Sequence, residues 1–118
     1  MMDILATGCI VLVALLHFYF LILEMFLWEK PLGLKTFRLT AEQAANSRVL
    51  AANQGLYNGF LAAGLIWGLF LGDDGRQLIL FVLVCIVIAG CYGAATASRR
   101  ILWFQAAPAA LALGLTLA

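Results

Sequence analysis

The chain has 118 residues, of which 65% are hydrophobic and only 11% are charged, and its formal net charge is +1. Soluble domains carry about 25% charged residues, so this composition argues against a soluble globular protein and indicates a membrane protein. The near-neutral charge gives no reason to expect a nucleic-acid partner, and a single histidine without any CxxC pair argues against a zinc site.

The first two membrane helices are predicted from long apolar runs and from the signals at their ends. The first helix covers about residues 4–28, and Pro31 ends it because proline has no N–H with which to continue a helix. A polar loop follows. The second helix covers about residues 41–71, and its start is marked by Thr40 and Gln43, which have the spacing of a capping box.

The last two helices are predicted to be shorter. Residues 72–75 form a tight turn, and the third helix then covers about residues 77–98. The fourth helix covers about residues 101–117, with a kink at Pro108. The sequence therefore predicts an all-α polytopic membrane protein, in which a single domain over residues 1–118 forms a bundle of four transmembrane helices.

The basic residues are distributed unevenly between the two sides of the predicted bundle. Only Arg76 lies between the second and third helices, whereas the others lie in or beside the remaining two loops: Lys30, Lys35, Arg38, Arg48, Arg99 and Arg100. Cytoplasmic loops of membrane proteins are enriched in Lys and Arg. We therefore expect a multi-pass protein of the cytoplasmic (inner) membrane, with both termini outside the cytoplasm.

Small residues recur at four-residue spacing in the last three helices, as at Gly55 and Gly59 or at Ala106 and Ala110. Such stripes allow helix backbones to approach closely in lipid. They predict packing within one subunit, an interface between subunits, or both. Because a chain of this size makes few internal contacts, we expect a homo-oligomer, in the simplest case a dimer.

Polar side chains gather in the predicted cytoplasmic half of the bundle. Glu24 and His17 lie seven residues apart in the first apolar run, where an ionisable group costs about 3 kcal/mol. This spacing places both on one helix face, which we expect to meet Asn53 and Asn58 of the second helix. The Glu24 carboxylate is expected to accept a hydrogen bond from Asn53 or Gln54.

This polar layer has two interpretations. It is either a hydrogen-bond network that fixes helix register or a pocket, open to the cytoplasm or the inner leaflet, for a lipid-like or amphipathic ligand. In the second interpretation Glu24 accepts a proton or orients the ligand, and the candidate ligand-binding residues are His17, Glu24, Asn53, Gln54, Tyr57, Asn58, Tyr92 and Gln105. No metal is predicted, and a proton-coupled transporter and a membrane assembly subunit remain alternatives.

Three segments carry a family resemblance: residues 17–28 (HFYFLILEMFLW), 52–60 (ANQGLYNGF) and 92–96 (YGAAT). They resemble the signature blocks of a bacterial membrane family known as "domain of unknown function 1304", and the similarity extends over essentially the whole chain. The resemblance implies a four-helix integral membrane protein and no particular activity.

A second resemblance involves segments that include Arg48, Asn53 and Gln105, which are similar to the membrane-associated eicosanoid and glutathione metabolism family. This resemblance implies a trimer with outward termini and an enzyme that binds glutathione or lipid between subunits. It also implies that Arg48 and Asn53 face the ligand and that Arg99 or Arg100 binds an anionic group. The acidic residue that follows the asparagine in that family is absent here.

Overall fold

The computed structural model describes residues 3–118, and every regular element in that range is helical. Five α-helices follow one another along the chain: α1 (Ile4–Met25), α2 (Pro31–Phe37), α3 (Ala41–Phe70), α4 (Arg76–Thr96) and α5 (Ala107–Leu117). A short 3-10 helix, Gly72–Gly75, precedes α4, and a π-helical turn, Leu102–Ala106, leads into α5. The predicted all-α class is therefore confirmed.

Contacts within the chain divide it into two compact units. The terminal unit combines the start of the chain up to Leu16 with Leu61–Ala118, and the central unit is His17–Phe60. The central unit therefore contains the last part of α1, all of α2 and the first part of α3. The predicted polar residues from His17 to Asn58 fall in the central unit, whereas those from Tyr92 to Gln105 fall in the terminal unit.

The segment after α1 differs from the prediction. α1 ends at Met25 rather than at residue 28, because Phe26 and Leu27 both donate their backbone N–H groups to the Ile22 carbonyl. Pro31 then begins α2, since the first turn of a helix has no partner for the N–H group that proline lacks. The prediction of a polar loop is therefore wrong for Pro31–Phe37.

α2 packs closely against the chain that leads into it. Gly33 is buried there, and a Cβ atom at this position would lie 2.0 Å from the Leu27 carbonyl oxygen. The ring centroids of Trp28 and Phe37 are 4.8 Å apart. Arg38, whose φ of 56° is left-handed, ends the helix. A single helix of seven residues is unstable in isolation, so these contacts hold α2 in its helical form.

The start of α3 agrees with the prediction. Thr40 Oγ1 accepts the backbone N–H of Gln43 at 3.1 Å, and Gln43 Oε1 accepts the backbone N–H of Thr40 at 2.9 Å. This capping box satisfies two N–H groups that have no partner inside the helix. From Ala41 the helix continues without interruption for 30 residues to Phe70.

The core of the terminal unit is apolar and draws on four helices. Its buried members are Ile10, Val13, Ala14, Ala62, Leu65, Ile79, Val82, Leu83, Ile86, Ala109 and Ala112. Those on α4 recur at steps of three and four residues, so one face of α4 is buried. In lipid, close van der Waals packing of this kind is the main attraction between helices.

Some of the predicted small-residue stripes serve contacts within this chain. In the terminal unit, a Cβ atom on Gly68 would lie 2.4 Å from Ile79 Cγ1, and one on Gly90 would lie 2.7 Å from the backbone nitrogen of Ala106. The backbone of α4 therefore passes directly against the turn that leads into α5. The homo-oligomer stays a prediction.

The fourth predicted helix has an irregular start. The kink expected at Pro108 is a widened π turn just before it, in which Ala107 donates its N–H to the Leu102 carbonyl five residues back. Pro108 cannot donate a hydrogen bond to the Phe104 carbonyl, so the regular α-helical pattern is already broken at this point.

Two helical segments of the described chain, Ile4–Met25 and Gly72–Thr96, are long and apolar enough to cross a bilayer. The apolar segment Leu102–Leu117 is shorter. α3 is longer than any of these, but Asn53, Gln54 and Asn58 lie among its apolar residues. Length and composition thus support two of the four predicted spans directly.

The close packing of Gly90 against Ala106 in the terminal unit can be tested by substitution. In Gly90→Ala the new methyl group meets backbone atoms that cannot move aside, so we expect a loss of about 1–3 kcal/mol in the free energy of unfolding. Gly114→Ala is the matched control, because a Cβ atom there meets nothing within 4 Å and alanine favours a helix by up to about 1 kcal/mol. Unfolding followed by circular dichroism in detergent measures both, and equal stability of the two variants would contradict the assigned contact.

Candidate functional site

α3 approaches α1 closely at two glycines in the central unit. A Cβ atom on Gly55 would lie 2.7 Å from Met25 Cγ and 3.2 Å from the Leu21 carbonyl oxygen. One on Gly59 would lie 2.5 Å from Leu21 Cδ1. The absence of side chains at these positions lets the two backbones come close enough for short polar side chains to reach across.

Asn58 and Glu24 form the polar contact at this crossing. Asn58 is only 5% exposed, and its Nδ2 donates a hydrogen bond to Glu24 Oε1. Asn58 lies three residues after Gly55, which places it on the face of α3 that contacts α1. Among the described residues, no buried side-chain nitrogen or oxygen lacks a hydrogen-bond partner, so the pair leaves no unsatisfied group behind it.

The predicted hydrogen bond from Asn53 or Gln54 to Glu24 is wrong. Both amides are exposed, and Asn53 Nδ2 instead donates to the Val49 carbonyl of its own helix at 2.9 Å. The reason is helical phase. Five residues separate Asn53 from Asn58, which turns the two side chains about 140° apart around the α3 axis.

His17 lies on the predicted face of α1 but in the packed interior. It is 0% exposed, and its ring meets the Phe20 ring edge-on with 5.5 Å between centroids. Seven residues, close to two helical turns, separate it from Glu24, so both are on one side of the helix. His17 packs inside the protein and does not line the groove that opens beside Glu24.

A groove of about 690 Å³ lies at the end of α1, open to the outside on one side. Its polar lining consists of Glu24, Glu29, Lys30, Arg48 and Asn53, and its apolar lining of Met25, Phe26, Trp28, Val49, Ala52 and Leu56. The volume is within the range of about 300–1,000 Å³ that is typical of small-molecule sites. Because it is open, an elongated ligand could place one end in the groove and leave the other outside.

A short chain of hydrogen bonds fixes one wall of the groove. Trp28 Nε1 donates to Ser47 Oγ at 3.1 Å, and Ser47 Oγ in turn donates to the Gln43 carbonyl at 2.7 Å. The loop after α1 is thereby tied to the first turns of α3. Since indole has a single N–H donor, this bond also determines which edge of the Trp28 ring faces α3.

Two of the lining residues of the groove form an ion pair. Arg48 Nη1 lies 3.8 Å from Glu29 Oε1, and the two side chains are 67% and 45% exposed. Exposed pairs of this kind contribute only about 0–1 kcal/mol. Both charges can therefore separate and bind other groups at little cost.

The structure brings three predicted ligand-binding residues together at the groove: Glu24, Arg48 and Asn53. The last two are those that the eicosanoid and glutathione resemblance implies as facing a ligand. Gln54 and Tyr57 lie on α3 outside the lining and are exposed. Asn58 stands behind Glu24 as its hydrogen-bond donor.

The remaining predicted residues belong to the terminal unit. Tyr92, near the end of α4, is 71% exposed, and its carbonyl accepts the Thr96 hydroxyl at 2.7 Å. Arg99 and Arg100 are exposed in the segment between α4 and the π turn. Gln105 is half-buried within that turn. Their roles toward a ligand stay predictions.

Sequence reasoning missed Glu29 and Lys30 as parts of the site because both were assigned to a connecting loop. The available signal was a pair of opposite charges directly after the apolar run that ends at Trp28. Ser47 was also missed, because its importance lies in a hydrogen bond across 19 residues of sequence that no local pattern reveals. Among the described residues, no three His, Cys, Asp or Glu side chains are grouped as metal ligands.

Comparison with known proteins agrees with the first resemblance. Residues 11–117 match the family described as "Protein of unknown function (DUF1304)". The chain belongs to the DUF1304 family. The matched range includes the whole groove and the Glu24–Asn58 contact, so the groove is built from residues inside the DUF1304 region.

A relative of this DUF1304 protein is "Uncharacterized protein YpaA" of Lactococcus lactis subsp. lactis (strain IL1403). The two are 33% identical over 114 residues, which cover 95% of this chain and 96% of the relative. The similarity is thus global and not confined to one helix. No solved structure matches the chain.

The Glu24–Asn58 contact predicts that replacing Asn58 by alanine costs much more stability than replacing Asn53. Asn58→Ala removes the donor to a half-buried carboxyl group, and we expect the protein to lose about 1–3 kcal/mol of stability. Asn53→Ala is the matched control and should change stability by less than about 0.5 kcal/mol, because that amide is exposed and bonds only its own helix.

Unfolding in detergent measures both variants. A double-mutant cycle with Glu24→Ala then isolates the pair, and Asn58→Ala should cost little once the carboxyl group is gone. An undiminished cost of Asn58→Ala in that background would contradict the contact.

Proposed function

We propose that this DUF1304 protein is an integral membrane protein with four spans, whose groove binds the polar end of a lipid-like, amphipathic ligand. The observation that supports this proposal is the composition of the groove. Its lining combines the charged side chains of Arg48, Glu29 and Lys30 with apolar residues such as Val49 and Leu56. A mostly apolar site with a few convergent polar groups suits a molecule that is itself polar at one end.

Helix lengths support four spans. α3, with 30 residues, is about 45 Å long, which exceeds the hydrocarbon thickness of about 30 Å and allows its polar first turns to project from the bilayer. The segment Leu102–Leu117 is shorter, and a local thinning of the bilayer would accommodate it at modest cost. Together with α1 and α4 these helices make an even number of crossings.

The basic residues support an orientation with both termini outside the cytoplasm. Lys30, Lys35, Arg38 and Arg48 follow α1 or begin α3, and Arg99 with Arg100 follows α4. Retention of Lys and Arg on the cytoplasmic side would place both segments there. The groove then opens at the surface of the inner leaflet, where the head groups of membrane lipids are found.

The orientation predicts which loops a membrane-impermeant maleimide reaches. In a variant whose three cysteines, Cys9, Cys85 and Cys91, are replaced by alanine, Asp74→Cys should be labelled on intact spheroplasts. Lys35→Cys should be labelled only after the membrane is permeabilised. Both positions are exposed, which makes them matched reporters. The opposite pattern, or labelling of both in intact spheroplasts, would contradict the proposed orientation.

Filling the groove tests ligand binding. In Ala52→Phe the new ring occupies the lining, so phospholipid that co-purifies with the protein, counted by mass spectrometry, should fall from about one molecule per chain to near zero, since the groove holds one ligand of ordinary size. Ala63→Phe, on an exposed part of α3 outside the groove, is the control and should retain the wild-type amount. Equal retention in both variants would remove the support for the proposal.

A further inference from the structure

We infer that the occupant of the groove is a phospholipid with a phosphoethanolamine head group, a zwitterion whose phosphate binds Arg48 and Lys30 and whose ammonium binds Glu29. This inference rests on the proposed function, because it names the ligand class of the same groove. It follows from the signs of the charged side chains in the groove lining and from the Arg48–Glu29 ion pair. A purely anionic or purely cationic head group would meet repulsion from one of these side chains.

The two cationic side chains of the groove lining, Arg48 and Lys30, have the chemistry of a phosphate site. The Arg48 side chain is 67% exposed, so its guanidinium is accessible from outside the protein. Its planar fork of donors matches the oxygens of a phosphodiester, and Lys30 adds a second positive charge in the same lining. Arg48 and Lys30 can therefore bind the phosphate independently of how the ammonium end of the ligand is bound.

The Glu29 carboxylate, which lines the same groove, distinguishes among phospholipids. Glu29 lies 3.8 Å from Arg48, which is longer than a hydrogen bond and leaves acceptor positions on its carboxylate. A primary ammonium can donate hydrogen bonds to this group. A quaternary ammonium carries the same charge without an N–H donor, and a glycerol head group has no positive charge at all. Glu29 should therefore favour ethanolamine over choline and over glycerol.

The apolar lining accounts for the rest of the ligand. Val49 and Leu56, seven residues apart on one face of α3, are 67% and 42% exposed, and Met25 lies on the α1 side. The groove is open, so acyl chains can follow these residues and continue into surrounding lipid. A soluble zwitterion such as a free amino acid would leave this apolar surface uncovered.

Native mass spectrometry on the full chain tests the inference. The delipidated protein in non-ionic detergent is titrated with dioleoyl lipids that differ only in head group: phosphatidylethanolamine, phosphatidylcholine and phosphatidylglycerol. We expect the wild type to bind phosphatidylethanolamine about two- to fivefold more tightly than either of the others, the range expected for one solvent-exposed charge contact. Glu29→Gln should abolish this preference, whereas Glu42→Gln, an exposed acid outside the groove, should preserve it.

Arg48→Gln should weaken binding of all three lipids, because all three carry the phosphate, and Lys35→Gln, outside the groove, should leave their affinities unchanged. Equal or tighter binding of phosphatidylglycerol by the wild type, or a preference that survives Glu29→Gln, would overturn the inference while leaving an amphipathic ligand in the groove. If the wild type binds none of the three lipids, or if Ala52→Phe binds them as well as the wild type does, the proposed function fails too.

Discussion

The central unit depends on the close approach of α1 and α3 at Gly55 and Gly59. Only without side chains at these positions can Leu21 and Met25 pack against the α3 backbone, and only at that separation can Asn58 reach Glu24. The Asn58–Glu24 hydrogen bond and the glycine contacts therefore depend on the same short separation between α1 and α3.

Regular features of this fold could be predicted from sequence because they depend on local chemistry. The capping box of Thr40 and Gln43 is such a case, since both partners lie within one helical turn. The face that holds His17 and Glu24 is another, because it follows from helical periodicity. The DUF1304 resemblance rested on segments long enough to be distinctive, and the family match confirmed it.

Features that depend on contacts between distant residues could not be predicted in this way. Pro31 can both end one helix and begin another, and the choice here depends on Gly33 packing against the Leu27 carbonyl. The partner of Glu24 depends on how α3 is rotated against α1, and sequence alone favoured Asn53 or Gln54 where the structure has Asn58. The groove could not be predicted either, because the Trp28–Ser47 hydrogen bond that positions the loop after α1 joins residues far apart in sequence.

The π turn before α5 accommodates one extra residue within a continuous helical segment. On α4, Gly93 meets Ile101 and Gly90 meets Ala106, so three residues on one helix are matched by five on the other. A π turn, in which the hydrogen bond reaches five residues back, contains more residues per turn than an α-helix. It therefore accommodates part of the difference between three residues on α4 and five on the other segment. Related chains that lack one residue in this segment could keep the same crossing with an ordinary α-helix.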